Sequence, residues 1–468
     1  MRFIGRRDEL QVLEKQFESD QFEMSVVYGR RRIGKTTLLR YFSSGKRCVY
    51  FTAIRASSGR NLEQFSEALF SGLFPEMPAT YFRSYEELFT YLTRCAERER
   101  LIVVIDEFPY LAEQTPEVLS ILQKYIDSEW ERTRMFFILS GSSVSFMEDE
   151  VLSEKSPLYG RRTSQMKIQP FDYLEAGEFT PEYSPADKAL VFGVTGGIPK
   201  YLSLIDSKRA VETNIKELFF TRTGYFWEEP SNLLAQEFRN VPLYASIIEA
   251  LAHGATRLNE IADKAHVEPT SVSHAMKSLI STGIVLRKTA ITDEANKKKV
   301  LYVLKDEMFR FWYRFVQGGS AAVELGMGEN YFEHAVKPLI SEYMGQVFEE
   351  MCRQYTLREG LKGKFSCYVT EVGSWWGTNP EKKEQTDIDV VGIDKLKKQA
   401  VIGECKYRNE PVDKNVLYEL KERSTLLQKG YIAMEYLLFS KNGFSQWLFE
   451  NCNTENVKLF SLEDIYNA

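Results

Sequence analysis

A chain of 468 residues exceeds what one hydrophobic core serves, so about two to four domains are expected. With 44% apolar and 27% charged residues it is globular, which excludes extended disorder, and no apolar run is long enough to span a bilayer. The net charge of −6 excludes a uniformly basic nucleic-acid coat but leaves local basic patches open.

The chain begins Met1-Arg2-Phe3-Ile4-Gly5-Arg6-Arg7, without the apolar stretch of a signal peptide, so a cytoplasmic location is expected. Six cysteines stand singly, with no C-x-x-C spacing, which fits a reducing compartment and no zinc module. Four histidines in the whole chain disfavour a histidine-based metal centre.

A first helix is expected near Arg7–Leu10, with Leu10, Leu13 and Phe17 on one face. The apolar run Val26-Val27-Tyr28 then leads into Gly29-Arg30-Arg31-Arg32-Ile33-Gly34-Lys35-Thr36-Thr37, which carries G-x-x-x-x-G-K-[ST] before a Leu-rich helical pattern. The glycines let the backbone curl so that several N–H groups face one anion. Lys35 adds a point charge for the outer phosphates, Thr36 offers a hydroxyl to Mg²⁺, and the following helix aims its positive end at the same place. The stretch is therefore read as an ATP cradle. The alternative is a βα turn that binds nothing.

Helical patterns follow near Asn61–Phe74 and Tyr85–Glu97, then the continuous apolar strand Leu101–Ile105 ending in Asp106-Glu107. Asp106 at such a tip is placed to hold the Mg²⁺ shell, and Glu107 to polarise an attacking water. Without a ligand the pair would simply cap a strand end in solvent. Another buried strand, Met135–Ser140, ends in Gly141-Ser142-Ser143, where either serine could report on the γ-phosphate. Strands alternating with helices predict a doubly wound α/β domain over residues 1–170, with its ligand at the strands' C-terminal edge.

"FIGRRDEL" at 3–10, "GRRRIGKTTLL" at 29–39, "VVIDEF" at 103–108, "FILSGSS" at 137–143, "PLYGRRT" at 157–163 and "GGIPKYL" at 196–202 together resemble the archaeal-type ATPase family. That family belongs to the STAND/AAA+ branch of P-loop NTPases, and the resemblance spans roughly the first half of the chain. It implies an ASCE-type parallel sheet, ATP and Mg²⁺ as cofactors, and Gly5-Arg6 near the adenine. It further implies Asp106 on Mg²⁺, Glu107 as catalytic base, Ser142 as sensor, Arg161 or Arg162 as γ-phosphate-sensing arginine, and Gly197-Ile198-Pro199 at a lid. Read without the family, Tyr159-Gly160-Arg161-Arg162 is a tight turn and a solvated basic pair.

Residues 171–238 read as a helical lid or connector rich in packing aromatics such as Phe219, Phe220 and Trp227. Residues 239–306 show helix, helix, turn at Val267-Glu268-Pro269, helix, then two short strands, which predicts a winged helix-turn-helix. Its second helix would offer Ser271, Ser273, His274 and Lys277 to a DNA major groove, with Lys297-Lys298-Lys299 for phosphates. The competing reading is a protein-contact module diluted in charge by Glu260, Asp263 and Glu268.

The last domain is expected over 307–468. Its opening "MFRFWYRFV" resembles the companion C-terminal domain of that ATPase family, which looks restriction-endonuclease-like. Asp387-Ile388-Asp389-Val390-Val391 and Ala400–Lys406 read as paired strands separated by a short turn. Residues two apart on a strand share a face, so Glu404 and Lys406 point together, near Asp389 if the hairpin pairs. Two carboxylates and an ammonium so placed suit Mg²⁺-assisted phosphodiester cleavage, with Glu349 from a helix completing the metal shell. This matches the D…E-x-K core of that nuclease superfamily, without its usual proline. Tyr407 and Arg408 fit either a DNA-facing rim or a structural edge.

The expected whole is an ATP-hydrolysing switch whose nucleotide state controls a winged helix and an Mg²⁺-dependent nuclease-like domain acting on DNA. The alternatives are a non-cleaving ATP-dependent regulator or scaffold that binds DNA or protein through a degenerate nuclease fold, and a signalling ATPase that assembles with itself or a protein partner.

Overall fold

The computed structural model describes residues 3–293, 299–427 and 430–467. The chain divides into two compact units: Met1–Pro170 with Ile198–Lys200, and Phe171–Gly197 with Tyr201–Ala468. The segments expected as lid, winged helix and nuclease-like domain fall together in the second, except Ile198–Lys200 of the lid, which joins the first.

In the first unit five strands, β1 (Glu23–Tyr28), β2 (Cys48–Thr52), β3 (Leu101–Asp106), β4 (Met135–Gly141) and β5 (Ser164–Lys167), form one parallel sheet in the order β2-β3-β4-β1-β5. The runs of β3 and β4 are apolar on both faces because helices cover both sides, and every residue of these two strands is buried. β4 lies between β1 and β3, so the tip of the P-loop strand, the Ser142 turn and Asp106 stand side by side on one edge.

The flanking helices start where local chemistry dictates. The Ser57 hydroxyl accepts from the Arg60 N–H at the head of Ser58–Leu73, and the Ser84 hydroxyl does the same for the Glu87 N–H at the head of Tyr85–Arg98. The core between them is aromatic. Phe51 stacks on Phe65 at 4.5 Å, and Trp130 sits 5.0 Å from Phe137 and 5.5 Å from Phe89. The one polar atom of Trp130 is satisfied by the Thr93 hydroxyl at 2.9 Å.

In the second unit, helices Val241–Ala252, Leu258–Ala265 and Pro269–Ser281 precede an antiparallel pair, β6 (Val285–Lys288) and β7 (Leu301–Leu304). A long helix, Ile340–Leu361, then leads to a second five-stranded sheet: β8 (Glu371–Asn379), β9 (Glu384–Asp394), β10 (Gln399–Lys406), β11 (Ile432–Ser440) and β12 (Val457–Ser461). Its order is β12-β11-β10-β9-β8. β8, β9 and β10 run antiparallel, and β10, β11 and β12 parallel. A parallel neighbour requires a crossover, which helix Lys414–Ser424 supplies between β10 and β11. One sheet face packs Trp375, Ile388, Val391, Ile402 and Leu438 against Leu417 and Leu420 of that helix. On the long helix Tyr355 meets Phe439 and Phe460. No described helix is long and apolar enough to cross a membrane.

Candidate nucleotide site and a second carboxylate site

The loop after β1 curls as its glycines allow. Gly29 has φ 153° and passes so close to Ile168 that a Cβ would lie 2.7 Å from its carbonyl oxygen, so no other residue fits without a shift. Gly34, at φ 91°, opens helix Lys35–Ser43. Lys35 is buried and donates to the carbonyls of Gly29 at 2.8 Å and Arg30 at 3.0 Å, holding its ammonium inside the loop. Arg30 and Ile33 are buried and Thr37 is exposed; Arg31 donates to the Tyr110 hydroxyl at 2.8 Å. Arg6, in a left-handed conformation after Gly5, is buried and donates to the Ile33 carbonyl at 3.1 Å. Pro199 closes the other side, where a Cβ on Gly34 would meet it at 3.6 Å, and the Lys200 N–H reaches the Arg32 carbonyl at 3.4 Å.

The carboxylates at the tip of β3 are tied into this loop. Asp106 accepts from the Thr36 hydroxyl at 2.7 Å and the Tyr50 hydroxyl at 2.9 Å, and from the Glu107 N–H at 3.1 Å. Burial and the Asp106 carboxylate push the Tyr50 hydroxyl far above its ordinary value, so it stays a donor. Glu107 turns out of the strand at φ 53°. Its Oε2 accepts from the Ser142 hydroxyl at 2.6 Å and the Ser142 N–H at 3.3 Å. The hydroxyl of Thr36, the two carboxylates and Ser142 thus form one connected chain across β3, β4 and the P-loop helix. Tyr50 was missed in the sequence because nothing in Cys48–Thr52 distinguishes a strand tyrosine that packs from one that reaches the next strand's tip.

Arg161 and Arg162 are placed away from the P-loop. Both precede β5, whose start is fixed by the Thr163 N–H on the Met24 carbonyl at 2.8 Å, at the opposite edge of the sheet from the P-loop. Arg161 forms a double contact with Asp127, 2.6 Å on each oxygen, and that guanidinium holds the Asp127 carboxyl below its usual range. Arg162 lies over the Tyr159 ring and, with Arg132, Arg134 and Arg161, lines a cleft of about 590 Å³ beside Phe22. Strand direction therefore keeps the arginine expected to sense the γ-phosphate away from the chain's own cradle.

In the second unit β9 and β10 pair as the hairpin requires. Gly403 faces Val390, and Asp389 and Glu404 lie one step further along, where the Glu404 carboxylate acts on that of Asp389. Asp389 accepts from the Cys405 N–H at 2.9 Å. Burial, then the Glu404 and Glu349 carboxylates, push its carboxyl well above the ordinary range. Glu404 is buried and meets Lys406 at 2.7 Å and Arg423, from helix Lys414–Ser424, at 3.2 Å. Arg423 also donates to the Asp387 carbonyl at 3.0 Å. Its role was illegible in the sequence, since a helix arginine 19 residues beyond Glu404 carries no spacing signal.

Among the described residues no group of three or more His, Cys, Asp and Glu side chains is arranged to hold a metal ion. Glu349 is turned to Arg353 at 3.3 Å, on its own helix, and Arg353 also reaches the Asp389 carbonyl at 2.9 Å. Tyr407 packs on Phe348 at 5.5 Å as a structural edge, whereas Arg408 is exposed. On helix Pro269–Ser281, Ser271, Ser273, His274 and Lys277 are all exposed. Lys299 pairs with Asp293 at 3.4 Å; Lys297 and Lys298 lie outside the described residues.

Residues 3–205 match the family model described as an ATPase domain predominantly from Archaea, and residues 312–424 match one described as archaeal and bacterial proteins of unknown function. An uncharacterized protein of Methanocaldococcus jannaschii is 28% identical over 467 residues, covering 99% of each chain. An uncharacterized ATP-binding protein of the same organism is 38% identical over 45 residues, 10% of this chain and 76% of that one. Among solved structures, a Walker-type ATPase of Pyrococcus abyssi is 20% identical, covers 67% of this chain and 96% of that one, and superposes with a TM-score of 0.50. The first unit is a P-loop ATPase domain.

Proposed function

We propose that this chain is an ATP-hydrolysing switch of the STAND/AAA+ class whose nucleotide state controls a DNA-directed second half. The observation that carries the ATPase part is the chain Thr36–Asp106–Glu107–Ser142, because it links the phosphate cradle, a metal-holding carboxylate, a base and a γ-phosphate reporter through direct hydrogen bonds. The hard oxygens of Thr36 and Asp106 fit Mg²⁺, which when bound beside the phosphates neutralises their charge. Lys35 binds the outer phosphates, Glu107 holds the attacking water, and Ser142 orients Glu107.

The exposed polar row on helix Pro269–Ser281 and the following strand pair support a winged helix-turn-helix that reads duplex DNA. Asp389, Glu404 and Lys406, gathered at one end of a hairpin, support the nuclease-like reading of the last domain. Two carboxylates suffice for Mg²⁺, which keeps most of its water. There the ion would supply Lewis-acid stabilisation of the phosphodiester, and Lys406 would position the attacking water. Arg423 on Glu404 favours a second reading, in which the domain binds DNA without cutting it.

The experiment is ATP turnover and duplex cleavage by the full chain. Lys35→Ala should abolish nucleotide binding, and Glu107→Gln should keep binding while stopping turnover; normal turnover in Glu107→Gln removes the ATPase assignment of that residue. Wild-type protein that leaves duplex, single-stranded and branched DNA intact with Mg²⁺ selects the non-cleaving reading.

A further inference from the structure

The segment after β6 is built into the second sheet. Ala290 and Ile291 are buried in one apolar cluster with Trp375, Ile388 and Val391. The Ile291 N–H donates to the Ser374 carbonyl at 3.1 Å, and a Cβ on Gly373 would come within 3.2 Å of the Ile291 side chain. β6 is therefore anchored against β8 and cannot swing as a free hairpin.

That anchoring delivers a charge. Lys288, the last residue of β6, holds its ammonium 5.5 Å from the centre of the Trp376 ring. Trp376 is the β8 partner of Asp387, two residues before Asp389 on β9. Burial and the Arg353 guanidinium push the Lys288 ammonium below its ordinary range, while Glu349, Asp387 and Asp389 hold it up. Neighbouring cations are engaged: Arg353 with Glu349 and Glu350, Lys406 with Glu404, Arg423 with Glu404 and Glu419. Among the described residues Lys288 has its aromatic contact but no hydrogen bond and no ion pair within 4.0 Å. A lysine lying along an indole with an uncommitted ammonium is disposed to take an anion from outside.

We propose that the carboxylate site of the last domain is composite, and that Lys288, supplied by the strand pair of the helix-turn-helix module, is one of its phosphate-contacting residues. A duplex gripped by helix Pro269–Ser281 is then led toward Asp389 and Glu404 at an offset fixed by the β6–β8 anchor. The inference rests on the reading that the second unit takes DNA.

The test is fluorescence anisotropy of a fluorescein-labelled DNA duplex with the full chain in EDTA, across a salt series. Each phosphate contact contributes about 0.9 to the slope of log affinity against log salt concentration. Lys288→Met should lower that slope by about 0.9, and Lys288→Arg should keep it, whereas damage to the fold alone would lower affinity in both. Lys288→Gln repeats the measurement if the methionine variant fails to fold. A slope unchanged in Lys288→Met and Lys288→Gln overturns the role of Lys288 while leaving DNA binding in place. Wild-type protein without salt-dependent duplex binding overturns the DNA reading, and the inference with it.

Discussion

Ser142 grips Glu107 twice, through its hydroxyl at 2.6 Å and its backbone N–H at 3.3 Å, both on the same carboxylate oxygen. The residue after β4 thereby fixes the direction of the carboxylate after β3. A general base contributes about 10²–10⁴-fold when correctly placed, and losing its holder forfeits part of that. Ser142→Ala should lower ATP turnover by about tenfold or more while nucleotide affinity stays within about twofold. Turnover and equilibrium binding of a fluorescent ATP analogue measure the two separately; an equal loss in both would make Ser142 a binding residue instead.

Gly29 tests the cradle without touching a charged group. A Cβ there meets the Ile168 carbonyl at 2.7 Å, on a backbone at φ 153° that side chains rarely adopt. Gly29→Ala must displace either the loop or Ile168, just after β5. ATP affinity is expected to fall by at least about tenfold, equivalent to about 1.4 kcal/mol, and calorimetric titration would show it.

The place of Arg161 has its own consequence. Its contact with Asp127 is partly exposed, so Arg161→Ala should cost no more than about 1 kcal/mol in stability. The variant should bind ATP as wild type does. A large drop in affinity of the isolated chain for ATP would contradict the placement of Arg161 at the far edge of the sheet.

Asp389 and Lys406 predict different losses if the last domain cuts DNA. Asp389→Asn keeps the size of the side chain and its contact with the Cys405 N–H but removes the charge that would hold Mg²⁺. Lys406→Met leaves both carboxylates and removes the group beside Glu404. Divalent-ion affinity, followed by Mn²⁺ titration, should fall in the first variant and persist in the second, with plasmid cleavage lost in both. Cleavage surviving Asp389→Asn would assign any nuclease activity elsewhere.

Glu307 gives the second unit a pH signature. Its carboxyl is fully buried beside Arg310 and Tyr343, and burial pushes it up to about 7 despite the guanidinium, with Glu350 and Asp306 adding to the rise. Between about 4.5 and 7 the folded state keeps a proton that the unfolded chain has released. Stability from this group is therefore present at the acid end of that window and is lost as pH rises through it, levelling above. Thermal unfolding of Glu307→Gln, compared with wild type across this window, should lack that component of the slope. Parallel pH profiles would show that Glu307 titrates normally.

The sequence by itself determined what local geometry dictates. Gly29 to Thr36 need only each other to form a phosphate cradle, Leu101–Asp106 declares a buried strand by its unbroken apolar run, and the alternation in β9 and β10 places Glu404 and Lys406 on one face. These readings rest on periodicities of a few residues, which the backbone enforces without knowledge of the rest of the fold. What only the tertiary structure decided is which residues from remote parts of the chain meet those tips. Tyr50 reaches Asp106, Ser142 rather than Ser143 holds Glu107, Arg161 turns away to Asp127, Arg423 arrives at Glu404, and Lys288 lies over Trp376. Each outcome depends on strand order, strand direction or the docking of one element on another. Those are set by burial summed over whole faces, a non-directional force that leaves no spacing in the sequence for a single polar contact to be read from.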